Sequence, residues 1–330
     1  MNDAFALARR SLGGLLLAAL STRAALSQTG TDPLPSWRDS PRRTAILDFL
    51  AATTTEGSPA FVPQAERLAI FDNDGTLWVE QPLYTQVVFA LDRVRALAPQ
   101  HPEWQAQEPF RSVLAGDRDG IARAGTRGML EIIRVTHAGM SPDEFHVLVE
   151  DWLRQARHPR FDRPYTQLVY QPMLEVLSLF RARGFRTCIC SGGTVEFMRP
   201  WTGRTYGIPP ANVVGTTLQM RFENGRLVRL PELDLNDDGP GKPVGISRFL
   251  GTLPQAAFGN SDGDYEMLQY ITEGSGRRLG MIVHHDDAER EYAYDRQSNV
   301  GRLDRGLNDA ARRGWHVLSM RDDWSQVFPS

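Results

Sequence analysis

The strongest constraint on the fold is a repeated punctuation: short apolar runs that stop abruptly in acidic, glycine or hydroxyl residues. RLAIFDNDGT (67–76) is the first; FRTCIC runs into SGGT (185–194); AAFGNSDGD (256–264) is the third; LGMIVHH (279–285) follows. Runs this short, apolar on both faces and bounded by loop residues, read as buried strands. The helical pattern MLEVLSLFRARG (173–184) leads into the second of them. Strands that alternate with helices indicate an α/β fold, a three-layer Rossmann-like core with a mainly parallel sheet. In such a sheet the carboxyl ends of the strands share one crevice, and three of those ends carry the chain's unusual residues. WHVLSM (315–320) reads as either a further strand or a loop.

About ninety residues separate the first strand from the helix before the second, against roughly ten to fifteen in an ordinary crossover. They include TQVVFALDRVRALA (85–98) and SPDEFHVLVEDWLRQAR (141–157), the latter with a Ser-Pro start. The expected organisation is a core of residues 28–80 and 171–330 with a helical cap, 81–170, inserted between its halves. Ahead of the first strand, Ser40 and Pro41 supply an N-cap and first turn for a helix through Leu50.

Residues 1–27 differ from the rest. Arg9 and Arg10 precede the apolar run LGGLLLAAL (12–20), and small residues continue to Ser27. That order matches a secretory signal and is too short to span a bilayer, so the expectation is an exported, periplasmic protein, with the paired arginines loosely matching a twin-arginine signal. A formal charge of −3 without a sustained basic run gives no footprint for nucleic acid. Cys188 and Cys190 lie two apart on one extended backbone, poor geometry for a disulfide, and read as buried free thiols.

Asp72 and Asp74 can face one pocket from the end of the first strand. Two such carboxylates repel unless a proton or a cation lies between them, and a hard divalent ion such as Mg²⁺ suits them. A calcium loop is a poor fit. Its sixth position, counted from Asp72, is Leu77, and although DLNDDG (234–239) places its acids and glycine correctly, its twelfth position is Gly245 in place of glutamate. DLNDDG therefore reads as a solvated turn.

Taken in order, FDNDGT, SGGT, GK and GNSDGD resemble the four motifs of the haloacid dehalogenase superfamily, in its phosphoserine-phosphatase-like branch. The resemblance runs from Arg67 to about Met281, with the cap after the first motif and NVVGTTLQMRFENGRL (212–227) similar to the branch's β-hairpin. It implies an Mg²⁺-dependent phosphomonoesterase acting on a small phosphorylated metabolite. Asp72 would be the nucleophile, Asp74 the acid and base, and Ser191, Gly192 and Lys242 would hold the phosphoryl group. Asp72, Asp74, Asn260 and Asp264 would stand on the metal side. Where the family more often has aspartate, this chain has Asn260, and Asp262 is an alternative ligand. Dehalogenases of the superfamily lack the second acid, so Asp74 favours phosphoryl transfer.

Lys242 is the one lysine among the 37 basic Lys and Arg residues. A compact ammonium can reach a nucleophile and a phosphoryl oxygen together, where a planar guanidinium needs a wider, fork-shaped site. Phosphoserine phosphatases carry a cap-side glutamate nine residues after the nucleophile; here that position is Gln81, beside Glu80, and Arg127 of the cap is a further candidate reader of substrate. His284 and His285 read as part of a surface loop. A phosphotransferase using the same groups, and a non-catalytic metal- or phosphate-binding relative, are the alternatives to hydrolysis.

Overall fold

Ser40 starts the first helix as its spacing predicts: its hydroxyl accepts from the Arg43 amide at 3.2 Å, and Pro41 opens α1 (Pro41–Thr54). The computed structural model describes residues 32–330, of which 33–330 form one compact unit; the signal-like segment 1–27 lies outside the described residues. Among the described residues, no helix is long and apolar enough to cross a membrane.

After α1 comes β1 (Leu68–Phe71), buried along its whole length. The inserted region then builds α2 (Thr85–Leu97), α3 (Phe110–Ala115), α4 (Arg118–His137) and α5 (Pro142–Gln155). Ser141 and Glu144 form a reciprocal capping box at the start of α5. Gly125 interrupts α4 with φ 56° and ψ −156°. Ala90, Leu91, Val94, Phe110, Val113 and Ile132 pack together on the inner faces of α2, α3 and α4, with Trp104 of the turn between α2 and α3. Phe145, Val149 and Leu153 of α5 instead join the main core, so the inserted helices are keyed into the α/β body along one side.

The chain returns through α6 (Gln171–Ala182), β2 (Arg186–Thr194) and α7 (Val195–Tyr206), then a hairpin of β3 (Val213–Glu223) and β4 (Arg226–Leu235). It continues with α8 (Gly241–Leu250), β5 (Ala256–Gly259), α9 (Tyr265–Thr272), β6 (Leu279–Asp286), β7 (Ala293–Tyr294), α10 (Arg305–Arg313), β8 (His316–Ser319) and α11 (Met320–Asp323). WHVLSM is thus a strand, β8, paired with β6.

The sheet order is β4-β3-β2-β1-β5-β6-β7, with β8 also on β6. β3 to β2, β2 to β1, β1 to β5 and β5 to β6 are parallel; β4 and β7 run antiparallel at the margins. Successive strands β1, β2 and β3 step one way and β5 and β6 the other, which puts the switch point between the carboxyl ends of β1 and β5. Phe71 and Phe258, the partners across that junction, stack at 4.5 Å with planes 8° apart. Burying each such ring contributes about 1.5–3 kcal/mol, so the ends of the two strands that carry the acidic loops are firmly joined.

Two expectations need correction. DLNDDG is solvated only in part: Asp234, Asn236 and Asp238 are exposed, but Asp237 is fully buried, its carboxylate accepting from the Cys190 thiol at 3.2 Å. His285 is not in a surface loop either. It lies on β6 with 2% exposure, while His284 faces the other side, as neighbours on a strand must.

Candidate active site

The loop after β1 is built by backbone hydrogen bonds. The Asp72 amide donates to the Phe258 carbonyl at 2.8 Å, and the Asn73 carbonyl accepts from the Leu77 amide at 2.8 Å. Gly75 closes the turn at φ +73°, and a Cβ there would lie 2.1 Å from the Asn260 amide nitrogen. Only glycine permits both the left-handed backbone and that approach. The loop is buttressed by His285, whose Nε2 meets the Gly75 carbonyl at 2.7 Å and whose Nδ1 meets Glu291 at 3.1 Å.

Lys242 reaches this loop from the first turn of α8. Its Nζ donates to Asp72 Oδ1 at 2.6 Å, Asp264 Oδ1 at 2.5 Å and the Cys190 carbonyl at 3.1 Å, which uses all three ammonium protons. With 2% exposure it is among the largest fully enclosed side chains. The glycines around it are required for packing: a Cβ on Gly241 would sit 1.8 Å from the Asn236 carbonyl oxygen, and one on Gly245 would sit 2.1 Å from Asp237 Oδ1. Burial opposes the ammonium charge, yet Asp264 and Asp72 hold it well above the ordinary lysine range.

The two acids of the loop occupy different environments. Burial, then the Asp264 charge, pushes the Asp72 carboxyl well up, against the pull of Lys242. Asp74 is raised by burial to about 6, moderated by the Trp78 indole, which donates to Asp74 Oδ1 at 2.8 Å.

Asp264 is fully engaged by the protein. Besides Lys242, its Oδ2 accepts from the amides of Asn260 at 2.9 Å and Ser261 at 3.0 Å, so it orients the loop after β5 and Lys242 together. Asn260 is held at both ends of its amide: Oδ1 accepts from Thr76 at 3.0 Å, and Nδ2 donates to Glu80 Oε1 at 2.7 Å. The Tyr294 hydroxyl also donates to Glu80 Oε1 at 2.7 Å. Burial raises the Glu80 carboxyl well above its usual range. Asp262 turns away from the crevice; its carboxylate accepts the backbone amides of Asp304, Arg305 and Gly306 at the start of α10.

Ser191 is enclosed within β2, where the ladder to β3 shifts register between Ser191 and Thr194. The irregularity takes in Gly192 and Gly193, and Gly193 donates its amide to Ser191 Oγ at 3.1 Å. Gln86 of α2 clasps this stretch: its Oε1 accepts the Thr194 amide and its Nε2 donates to Thr194 Oγ1, both at 2.8 Å.

Asp72, Asp74, Ser191, Gly192 and Lys242 all line one crevice of about 300 Å³ at the sheet's switch point, with Glu80 in the same wall. Glu80 does not reach outward as a substrate reader but turns inward to Asn260, and Arg127 does not line the crevice. Among the described residues, no three histidine, cysteine, aspartate or glutamate side chains converge as a closed metal cage. What the site offers a cation is two carboxylates on one loop, with further oxygens left to backbone, Asn260, water and ligand, the sparse arrangement Mg²⁺ commonly accepts. Asp72, Glu80 and Asp264 are buried and Asp74 partly so around one ammonium; burial, with repulsion between neighbouring acids at Asp72 and Glu80, holds these carboxyls and that of Asp74 up, and a divalent cation that stabilises their ionised forms fits the site.

Gln86, Glu80's inward bond, Tyr294 and His285 were not readable as site residues. Each acts from a segment remote in sequence, and the available signal was a chemically able side chain next to a strand end or motif.

The family model for haloacid dehalogenase-like hydrolases matches residues 69–269. No curated protein matches the chain in sequence. Among solved structures it is similar to a conserved functionally unknown protein from Anaerococcus prevotii DSM 20548, at 15% identity over 74% of this chain and 85% of that one, TM-score 0.51. It is also similar to a protein with unknown function from Bordetella pertussis Tohama I, at 19% identity over 77% and 98% of the two chains, TM-score 0.49. A phosphoserine phosphohydrolase-like protein from Francisella tularensis subsp. tularensis SCHU S4 matches at 16% identity over 74% and 98%, TM-score 0.40. At these identities the first likeness bears on the fold alone.

Proposed function

The chain belongs to the haloacid dehalogenase-like hydrolases, and from that premise we propose that it hydrolyses phosphate monoesters through an aspartyl-phosphate on Asp72. The observation that carries this reading is the split between two acids on one loop. Asp72 accepts from the Lys242 ammonium at 2.6 Å, whose other two protons go to Asp264 and the Cys190 carbonyl, whereas Asp74 accepts from the Trp78 indole at 2.8 Å. Paired acids in unlike environments take unlike roles.

In the first step an Asp72 oxygen attacks phosphorus and the ester P–O bond breaks, while protonated Asp74 gives its proton to the leaving oxygen. In the second, Asp74 takes a proton from water, whose oxygen attacks phosphorus; the bond to Asp72 breaks and inorganic phosphate leaves. Ser191 Oγ and the Gly192–Gly193 segment cradle the phosphoryl oxygens, and Lys242 compensates charge on Asp72 and on the group transferred. Asp72 and Asp74 would hold Mg²⁺, with Asn260 and Glu80 beside them and Asp264 orienting that wall; the ion would neutralise phosphoryl charge. With a cation beside it, the Glu80 carboxyl that burial holds up would ionise and supply the negative charge that Asn260 lacks as an amide. Export rests on residues 9–27 of the sequence.

The test is release of inorganic phosphate from phenyl phosphate by the purified protein, with Mg²⁺ and with chelator, beside Asp72→Asn. Metal-dependent release that Asp72→Asn abolishes supports the reading. Release that survives Asp72→Asn would remove Asp72 from the mechanism.

A further inference from the structure

The walls of the crevice beyond the phosphoryl end are apolar and carry no cation. Val87 and Ala90 come from α2, Met129, Leu130 and Ile133 from α4, and Leu233 from β4. Among the described residues, no arginine and no basic group other than Lys242 and the neutral ring of His137 line this space. Lys242 is consumed by Asp72, Asp264 and Cys190. His137 Nε2 meets Gln86 Nε2 at 3.1 Å and its Nδ1 meets Thr136 Oγ1 at 2.7 Å, so the amide donates to an unprotonated nitrogen. Burial, with Arg229 and Arg93 beyond, keeps this histidine's proton affinity well below the ordinary value. The remaining charged groups in the wall are acids, Glu80 and Asp238.

On the phosphatase reading, we infer that the substrate is a phosphate monoester of an uncharged alcohol with an apolar aryl or alkyl body. A carboxylate or second phosphate on the leaving group would lose its water and meet apolar side chains and acids, with no cation to pair it. An apolar body would instead cover Ile133, Met129 and Leu130 and gain from the water it displaces. A volume of about 300 Å³ lies at the small end of ligand pockets, which favours a compact alcohol over a nucleotide-sized one.

The decisive comparison is kcat/KM for phenyl phosphate against 4-carboxyphenyl phosphate, two esters with the same ring and reacting group, with phosphoserine as a third. The expected result is at least a tenfold preference for phenyl phosphate over both. Leu130→Arg is the companion variant, since Leu130 is 41% exposed and an arginine can extend from it without crowding the core. It should narrow the preference severalfold, through a lower KM for the carboxylated ester. Equal or better turnover of the carboxylated esters by the unaltered protein overturns the substrate class and leaves the phosphatase reading standing. Absence of phosphate release from all three esters with Mg²⁺ present overturns the phosphatase reading itself.

Discussion

Glu80 Oε1 accepts a 2.7 Å hydrogen bond from the Asn260 amide, so the carboxylate next to this amide comes from the loop after β1 and not from the loop after β5. If Glu80 supplies the charge that an aspartate at 260 would carry, the two positions are exchangeable. Glu80→Gln should weaken Mg²⁺ or Mn²⁺ binding by about tenfold or more, as loss of a partner beside a metal ligand commonly does. Adding Asn260→Asp to Glu80→Gln should return most of that affinity. Titration calorimetry reads this without turnover; unchanged affinity in Glu80→Gln would exclude the exchange.

Lys242→Met leaves Asp72 and Asp264 facing each other without their shared cation. Breaking one partner out of a buried ion network typically costs about 3–5 kcal/mol, and the loss of phosphoryl charge compensation should lower kcat by about 10²–10³. Lys242→Arg should not restore activity, because a planar fork cannot donate to Asp72, Asp264 and the Cys190 carbonyl from one point. Urea unfolding and steady-state rates check both parts, and wild-type turnover in Lys242→Arg would contradict the three-point tether.

Gly241→Ala tests the path by which the lysine enters. The added Cβ would lie 1.8 Å from the Asn236 carbonyl oxygen, a backbone atom that cannot swing aside. Overpacking of this kind costs about 1–3 kcal/mol, and the displaced first turn of α8 should carry Lys242 off Asp72. A variant as stable and as active as the parent would show that the turn adapts freely.

Asp237 predicts a pH dependence. Burial raises its carboxyl from the ordinary 3.8 to about 7, with Lys242 and the Cys190 thiol pulling the other way. The folded state therefore holds this proton more tightly than the unfolded chain, and stability from this group is present at low pH and lost as pH rises from about 4 to about 7. The slope can reach about 1.4 kcal/mol per pH unit. Urea midpoints at pH 5 and pH 8 should fall less in Asp237→Asn than in the parent; an identical fall would refute the assignment.

Much of the fold was legible because its signals are local. The four apolar runs are all buried strands; β1 and β5 end where the loop chemistry begins, at Phe71 and Gly259, whereas β2 runs on through Ser191 to Thr194 and β6 through His284 to Asp286. A single lysine in an arginine-using chain pointed to a special environment, and Lys242 does lie enclosed between two acids. Asp237 and His285 misled for the opposite reason. Polar residues in a row read as solvated, and nothing local records that Asp237 is enclosed by the Cys190 thiol and Gly245.

By itself the sequence determined the parallel α/β core, the inserted helices and the order in which acids, glycines and the lysine arrive at strand ends, because periodicity and punctuation are properties of neighbours along the chain. The tertiary structure alone decided which of those residues face one another. Glu80 reaches Asn260 across 180 positions, Gln86 reaches Thr194 across 108, and Asp262 leaves the crevice for the amides of α10. A buried carboxylate's partner is set by where folding carries the nearest donor, and that distance has no counterpart in sequence separation.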